Sequence, residues 1–154
     1  MADDLQSLSD EIGRLARDRS MRVATAESLT SGAIASAFGR GEAASEWFAG
    51  GVVAYAERVK REVLGVTAES VLTAQCAREL ATGVADLLDS DIAVAVTGVG
   101  GPDPEEGLPP GTVYGAVSVG DDVTDAAWRF DGDPSAVVEQ TVLAALRLVR
   151  DALA

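Results

Sequence analysis

The sequence predicts an α/β fold: a three-layer α/β/α sandwich on a mixed β-sheet, formed as a single domain over residues 1–154. Three observations carry this. Segments of helical periodicity alternate with short apolar runs in the order helix, strand, helix, strand, helix, helix, strand, hairpin, helix. One run, "DIAVAVTG" at 91–98, is continuously apolar, as a strand buried on both faces at the centre of a sheet would be. Near the C-terminus, "TVYGAVSV" and "VTDAAWRF" flank "GDD", which reads as a hairpin at the sheet's edge.

Leu5, Leu8, Ile12 and Leu15 recur at spacings of three and four, which predicts an amphipathic helix over 4–19. "RVATA" follows as a strand. Ala33, Ile34, Ala37 and Phe38 share one helical face, so "AESLTSG" at 26–32 is a strand-to-helix junction. "WFAGGVVAY" reads as a strand over 47–55, and Val59 with Val63 marks a short helix ending at Gly65. Tyr55 and Lys60 therefore flank a second junction. Ala77, Leu80, Ala81, Val84, Leu87 and Leu88 outline a strong amphipathic helix ahead of the apolar strand. The stretch 97–111 holds five glycines and four prolines, too many for regular structure, and reads as a long ordered loop. Asp133 as N-cap and Pro134 at the first helical position open a last helix that carries Val137, Val138, Thr141, Val142, Ala145 and Val149.

A chain of 154 residues that is 47% hydrophobic can bury a core without disulfide or metal. Its longest apolar runs fall far short of the ~20 residues of a membrane span. The first twenty residues are acidic where a secretion signal is basic, so a cytoplasmic protein is expected. A net charge of −13 repels nucleic-acid backbones. Lys60 is the chain's one lysine, there is no histidine, and Cys76 is the one cysteine. Histidine-dependent triads, Cys-His dyads, histidine-ligated metals and CxxC redox pairs are thereby excluded. Cys76 lies in an apolar-periodic stretch and reads as a small buried hydrophobe. If the chain is a hydrolase, its base is Lys, Asp, Glu or Tyr.

At the first junction Ser28, Thr30 and Ser31 stand where amides of the next helix are unpaired. They are either N-caps or, since the same amides could hold an oxyanion, a nucleophile with its supports. Glu27 holds the turn together or is solvated. For a serine without histidine the economical base is a lysine that desolvation keeps neutral, a role open only to Lys60. If its helix packs through Val59 and Val63, Lys60 borders the apolar face; the alternative is a snorkelling surface lysine. "TGVGGP" at 97–102 leaves the buried strand at the end where α/β sheets bind ligands, and forms either an anion-binding nest or a structural turn. Asp103, Glu105 and Glu106 could meet a divalent ion, but scattered loop carboxylates are ordinarily solvated, and no metal site is assigned.

"AESLTSG", "FAGGVVAYAERVKREVLGV" and "TGVGGPDPEEGLPPGTV" together resemble, in order and over nearly the whole chain, the C-terminal domain of the competence/damage-inducible CinA family. Stand-alone members of that family include nicotinamide mononucleotide deamidases. The resemblance implies a cofactor-independent amidohydrolase of pyridine nucleotide salvage, converting nicotinamide mononucleotide to nicotinic acid mononucleotide and ammonia. The family's A-E-S-C-T-G-G places its serine on Ser28 and its threonine on Thr30, with Leu29 and Ser31 as departures. Its Y-S-N-x-x-K places tyrosine on Tyr55 and lysine on Lys60, with Ala56 and Glu57 as departures. Thr97, Gly98, Gly101, Pro102, Gly111, Thr112 and Val113 keep the third pattern.

The implied mechanism has Ser28 as nucleophile, Lys60 as base and Tyr55 positioning or relaying the proton. Glu27, Thr30, Ser31, Arg58, Thr97, Gly98, Gly100 and Gly101 are expected to bind the small-molecule nucleotide. A homodimer or higher homo-oligomer is expected, with no nucleic acid or membrane partner. Where relatives often read G-D-R with a further arginine one turn later, this chain has Pro134 and Val138, and Leu108 replaces a frequent lysine. A catalytically weak nucleotide-binding or regulatory module is the alternative.

Overall fold

The computed structural model describes residues 2–154, with side chains from residue 4 onward. Its five strands form one mixed sheet in the order β2-β1-β3-β4-β5, where β1 is Val23–Glu27, β2 Phe48–Val53, β3 Ile92–Gly98, β4 Thr112–Val119 and β5 Asp122–Arg129. β1 runs parallel to β2 and β3, while β4 is antiparallel to β3 and β5. The continuously apolar segment is thus the central strand, as its composition predicts, and both faces are covered.

The alternation of β3 separates two cores. Ile92, Val94 and Val96 point to a layer built by α1 (Ala2–Asp18), α2 (Ala33–Gly39) and α6 (Pro134–Leu153). Ala93 and Ala95 join Ala24, Ala26 and Ala116 in a small-residue surface on which α5 (Ala74–Leu88) lies. Methyl-sized side chains let that helix come close to the sheet. α4 (Glu57–Leu64) then packs on α5, against Gly83, where any Cβ would run into the Leu64 carbonyl.

The helix ends follow their predicted chemistry in two places. Asp133 accepts the Ala136 amide at 2.9 Å with Pro134 opening α6, and Thr73 accepts the Cys76 amide at 3.1 Å to open α5. Two expectations are corrected. Residue 47 does not begin β2: Ala43 takes a left-handed φ of 54° and starts a one-turn helix, α3 (Ala44–Trp47), that turns Trp47 inward. Its ring is fully buried, edge-on to Phe38, with the indole N–H donating to the Glu42 carbonyl at 3.0 Å. The half-exposed edge strand β2 would have left that ring in water. Nor does α4 pack through Val63, which is 49% exposed. Lys60 and Leu64, four residues apart, form its buried face. Among the described residues no helix is long and apolar enough to cross a membrane.

Candidate active site

Parallel pairing of β1 with β3 sets the carboxyl ends of both strands side by side, the place where such sheets hold ligands. The chain leaves β1 through a tight turn organised by Glu27. That side chain is 1% exposed, and its Oε1 accepts the Thr30 hydroxyl at 2.6 Å, the Gly32 amide at 3.1 Å and the Ile34 amide at 2.9 Å. Oε2 accepts the Ala35 amide at 2.8 Å. The glutamate therefore caps α2, whose N-cap position is a glycine, and none of the three hydroxyls does so. Ser31 takes a left-handed φ of 53°, is exposed, and gives its amide to the Ser28 carbonyl at 3.1 Å. Ser28 remains 7% exposed, its hydroxyl without a hydrogen bond among the described residues; the amides of Leu29 and Thr30 are also free of such bonds.

Lys60 reaches the same region from the far side. It is 3% exposed, and its Nζ donates to the Tyr55 main-chain carbonyl at 3.1 Å. Burial lowers its pKa below the ordinary lysine value, against the opposing pull of Cys76, Glu57 and Glu105. Cys76 behind it is fully buried, which pushes the thiol up to about 11 although the Lys60 cation acts in the other direction. The segment after α4 completes this wall. Arg61 donates to the carbonyls of Ala68 at 2.8 Å and Glu69 at 3.1 Å, while Glu79 accepts the amides of Thr67 at 3.1 Å and Ala68 at 2.9 Å.

The loop after β3 is ordered by its own main chain. Val99 N–H donates to Thr112 at 2.8 Å and Gly111 N–H to Val99 at 2.8 Å. Gly98 lies so close to Thr112 and Val113 that a Cβ could not fit. Thr97 is buried and turned away, its hydroxyl donating to the Val71 carbonyl at 2.7 Å.

These three walls enclose a cleft of about 530 Å³. Of the residues anticipated from sequence, Ser28, Tyr55, Lys60, Gly98, Gly100 and Gly101 line it. Glu27, Thr30, Ser31, Arg58 and Thr97 do not: Glu27, Thr30 and Thr97 are spent on internal bonds, and Arg58 is solvent-exposed and paired with Glu62 at 3.0 Å. Tyr55 meets Lys60 through its carbonyl, and its side chain, 67% exposed, stands at the mouth. Pro134 and Val138 also face the cleft. Leu29, Val71 and Leu72 line it without having been anticipated, because apolar residues in irregular segments carry no periodic signal. A larger depression of about 680 Å³ between α1 and α6 is walled by side chains of those helices and by Glu42, away from the strand ends, and offers no comparable chemistry.

Comparison with known proteins identifies the family and the fold. The family model described as "CinA C-terminal domain" matches residues 5–153. A competence-damage inducible protein of Desulforamulus reducens is 38% identical over 97% of this chain and 38% of its own length. A CinA-like protein of Frankia casuarinae is 37% identical over 99% of this chain and 36% of its own length. The chain thus spans well under half of these relatives. The solved structure of a CinA superfamily protein from Klebsiella pneumoniae 700603 superposes with a TM-score of 0.93 at 34% identity, covering 97% of each chain. That of the competence/damage inducible protein CihA from Agrobacterium tumefaciens gives 0.90 at 30% identity, covering 97% of this chain and 95% of its own.

Proposed function

This chain belongs to the CinA C-terminal domain family, and on that premise we propose that it is a Ser/Lys amidohydrolase that deamidates nicotinamide mononucleotide in cytoplasmic pyridine nucleotide salvage. The observation that carries the reading is that Ser28, with its hydroxyl unpaired among the described residues, and the buried Lys60 open onto one cleft at the carboxyl ends of β1 and β3.

Neutral Lys60 takes the Ser28 proton as Oγ attacks the carboxamide carbon. The oxyanion that forms is met by the free amides of Leu29 and Thr30, which the Glu27-capped turn presents. Collapse breaks the C–N bond, the Lys60 ammonium returns its proton to the leaving nitrogen, and ammonia departs from a nicotinoyl ester on Ser28. A water molecule, deprotonated by Lys60, attacks the ester; the bond to Ser28 Oγ breaks as the Lys60 ammonium gives its proton to that oxygen, releasing nicotinic acid mononucleotide and restoring both residues. The Tyr55 carbonyl anchors the amine between the two steps.

A second reading, a nucleotide-binding or regulatory module with little turnover, is favoured by one contact: Lys60 Nζ bonds the Tyr55 carbonyl and not Ser28. Incubation of the purified protein with nicotinamide mononucleotide and measurement of ammonia separates the two. Release that disappears in Ser28→Ala supports the amidohydrolase; binding without release supports the module.

A further inference from the structure

Of the carboxylates that line the cleft, Glu57 pairs with Arg61 at 3.0 Å, and Glu106 accepts the Ser70 hydroxyl at 3.1 Å. The Glu105 side chain lines the same cleft and has neither an ion pair nor a hydrogen bond among the described residues. Its main chain, by contrast, is fixed. The Glu105 amide donates to the Leu108 carbonyl at 3.1 Å and the Leu108 amide to the Glu105 carbonyl at 2.8 Å. These bonds close a turn through Glu106 and Gly107, which take left-handed φ angles of 50° and 75°. The Ser70 bond ties that turn to the segment whose Val71 and Leu72 form the adjoining wall. A charge with no internal partner is thus presented on a turn that is held in place.

The position of that charge gives it a role. Ser28, more than nine-tenths buried and with its hydroxyl unpaired among the described residues, marks where the reacting end of a ligand lies. Glu105 is near enough to Lys60 to raise the pKa of the amine, against the burial that lowers it. A carboxamide held between Ser28 and Lys60 therefore brings the ring that bears it toward Glu105. The carboxylate leaves room for a phosphate elsewhere in the cleft. Gly100 and Gly101, on the loop after β3, line it with amides that have no acceptor among the described residues, so the anionic end of the same ligand has donors of its own.

We infer that Glu105 recognises the positive charge of the substrate's ring, so that the cleft takes a carboxamide on a cationic pyridinium in preference to the same nucleotide with a neutral, reduced ring. The inference rests on the amidohydrolase reading of this cleft and narrows its substrate class to the oxidised form. Reduction of the ring to the 1,4-dihydropyridine removes its charge and leaves phosphate, ribose and carboxamide in place. The two ligands thus differ chiefly in the charge that Glu105 attracts.

The test is calorimetric titration of Ser28→Ala, which prevents turnover, with nicotinamide mononucleotide and with its 1,4-dihydro form, at the mildly alkaline pH where the dihydro ring is stable. The oxidised nucleotide should bind about fivefold more tightly at low salt, and the difference should shrink as ionic strength rises. Glu105→Gln in the same background should close most of the difference, through weaker binding of the oxidised nucleotide and little change for the dihydro form. The Glu105 side chain is exposed and its turn is held through the main chain, so the glutamine leaves the fold intact. Glu106→Gln, whose carboxylate is turned to Ser70, should leave most of the difference standing. Equal or tighter binding of the dihydro form, a difference untouched by Glu105→Gln or abolished as fully by Glu106→Gln, or binding of neither ligand overturns the inference. Ammonia release by the unmodified protein is read separately. No release from the oxidised nucleotide, with the preference intact, removes the amidohydrolase reading and leaves the charge recognition standing; release without any preference in binding does the reverse.

Discussion

Lys60 Nζ donates to the main-chain carbonyl of Tyr55 at 3.1 Å, across the turn that leads from β2 into α4. The bond tethers an amine that burial has already made less basic. Turnover requires the neutral form, so the rate should rise with pH along a titration whose midpoint lies below the ordinary ~10.4 of lysine. Lys60→Arg keeps a cation and removes the accessible neutral form, so ammonia release should stop while the fold persists. A Lys60→Arg variant with substantial activity would show that another group is the base.

The same burial has a consequence for stability. A lysine whose pKa is lowered on folding is bound by more protons in the unfolded chain between the lowered value and ~10.4, so stability rises with pH across that window and the penalty is largest below it. Lys60→Met should therefore stabilise the protein at pH 7 by about 1 kcal/mol, seen as a melting temperature ~2–4 °C higher. The gain should vanish at high pH. A melting temperature lowered at pH 7 would mean that the Tyr55 bond outweighs desolvation.

Ser28→Ala should lose turnover by on the order of 10³-fold or more while leaving the denaturation midpoint within about 0.5 kcal/mol of the parent. The hydroxyl makes no hydrogen bond among the described residues, so its removal costs the fold little. Ammonia assay and chemical denaturation on one preparation read both quantities.

Glu27→Ala should act the other way round. Its loss leaves the Gly32, Ile34 and Ala35 amides and the Thr30 hydroxyl without their acceptor. Unpaired buried donors cost ~1–3 kcal/mol each before water enters, so a total of about 3 kcal/mol is expected by urea unfolding. Glu27→Gln retains one acceptor and should fall between the two. Equal stability of the alanine variant and the parent would show that the turn stands without its cap.

Gly83→Ala tests how Lys60 is held. The added methyl meets the Leu64 carbonyl, which is main chain and cannot swing aside, so α4 must shift off α5. A loss of ~1–3 kcal/mol is expected, with a fall in activity larger than the residual fold accounts for, because Lys60 rides on the displaced helix. Unchanged activity would separate the site from this packing.

Apart from α3, the element order was legible in the sequence because period is a local property: the apolar run at 92–96 reads as a strand buried on both faces, and Asp133-Pro134 as the opening of a helix. The helical turn that ends at Trp47 is not legible in the sequence, because the left-handed turn at Ala43, a residue that rarely takes one, carries no compositional mark. The exposure of Val63 is not legible either, because a short helix leaves two adjacent flanks equally plausible until its neighbour is known.

By itself the sequence determined that an enzyme of this composition could have only one lysine base and no histidine, and it placed Ser28 and Lys60 each at a strand-to-helix junction. The tertiary structure alone decided that they share a cleft, since that depends on the strand order β2-β1-β3, which no local pattern encodes. It also decided which polar groups remain free. Glu27 takes the donors that Ser28 or Thr30 could have capped, and Thr97 turns to Val71, because most buried polar atoms are paired and the partner is chosen by the packing around them.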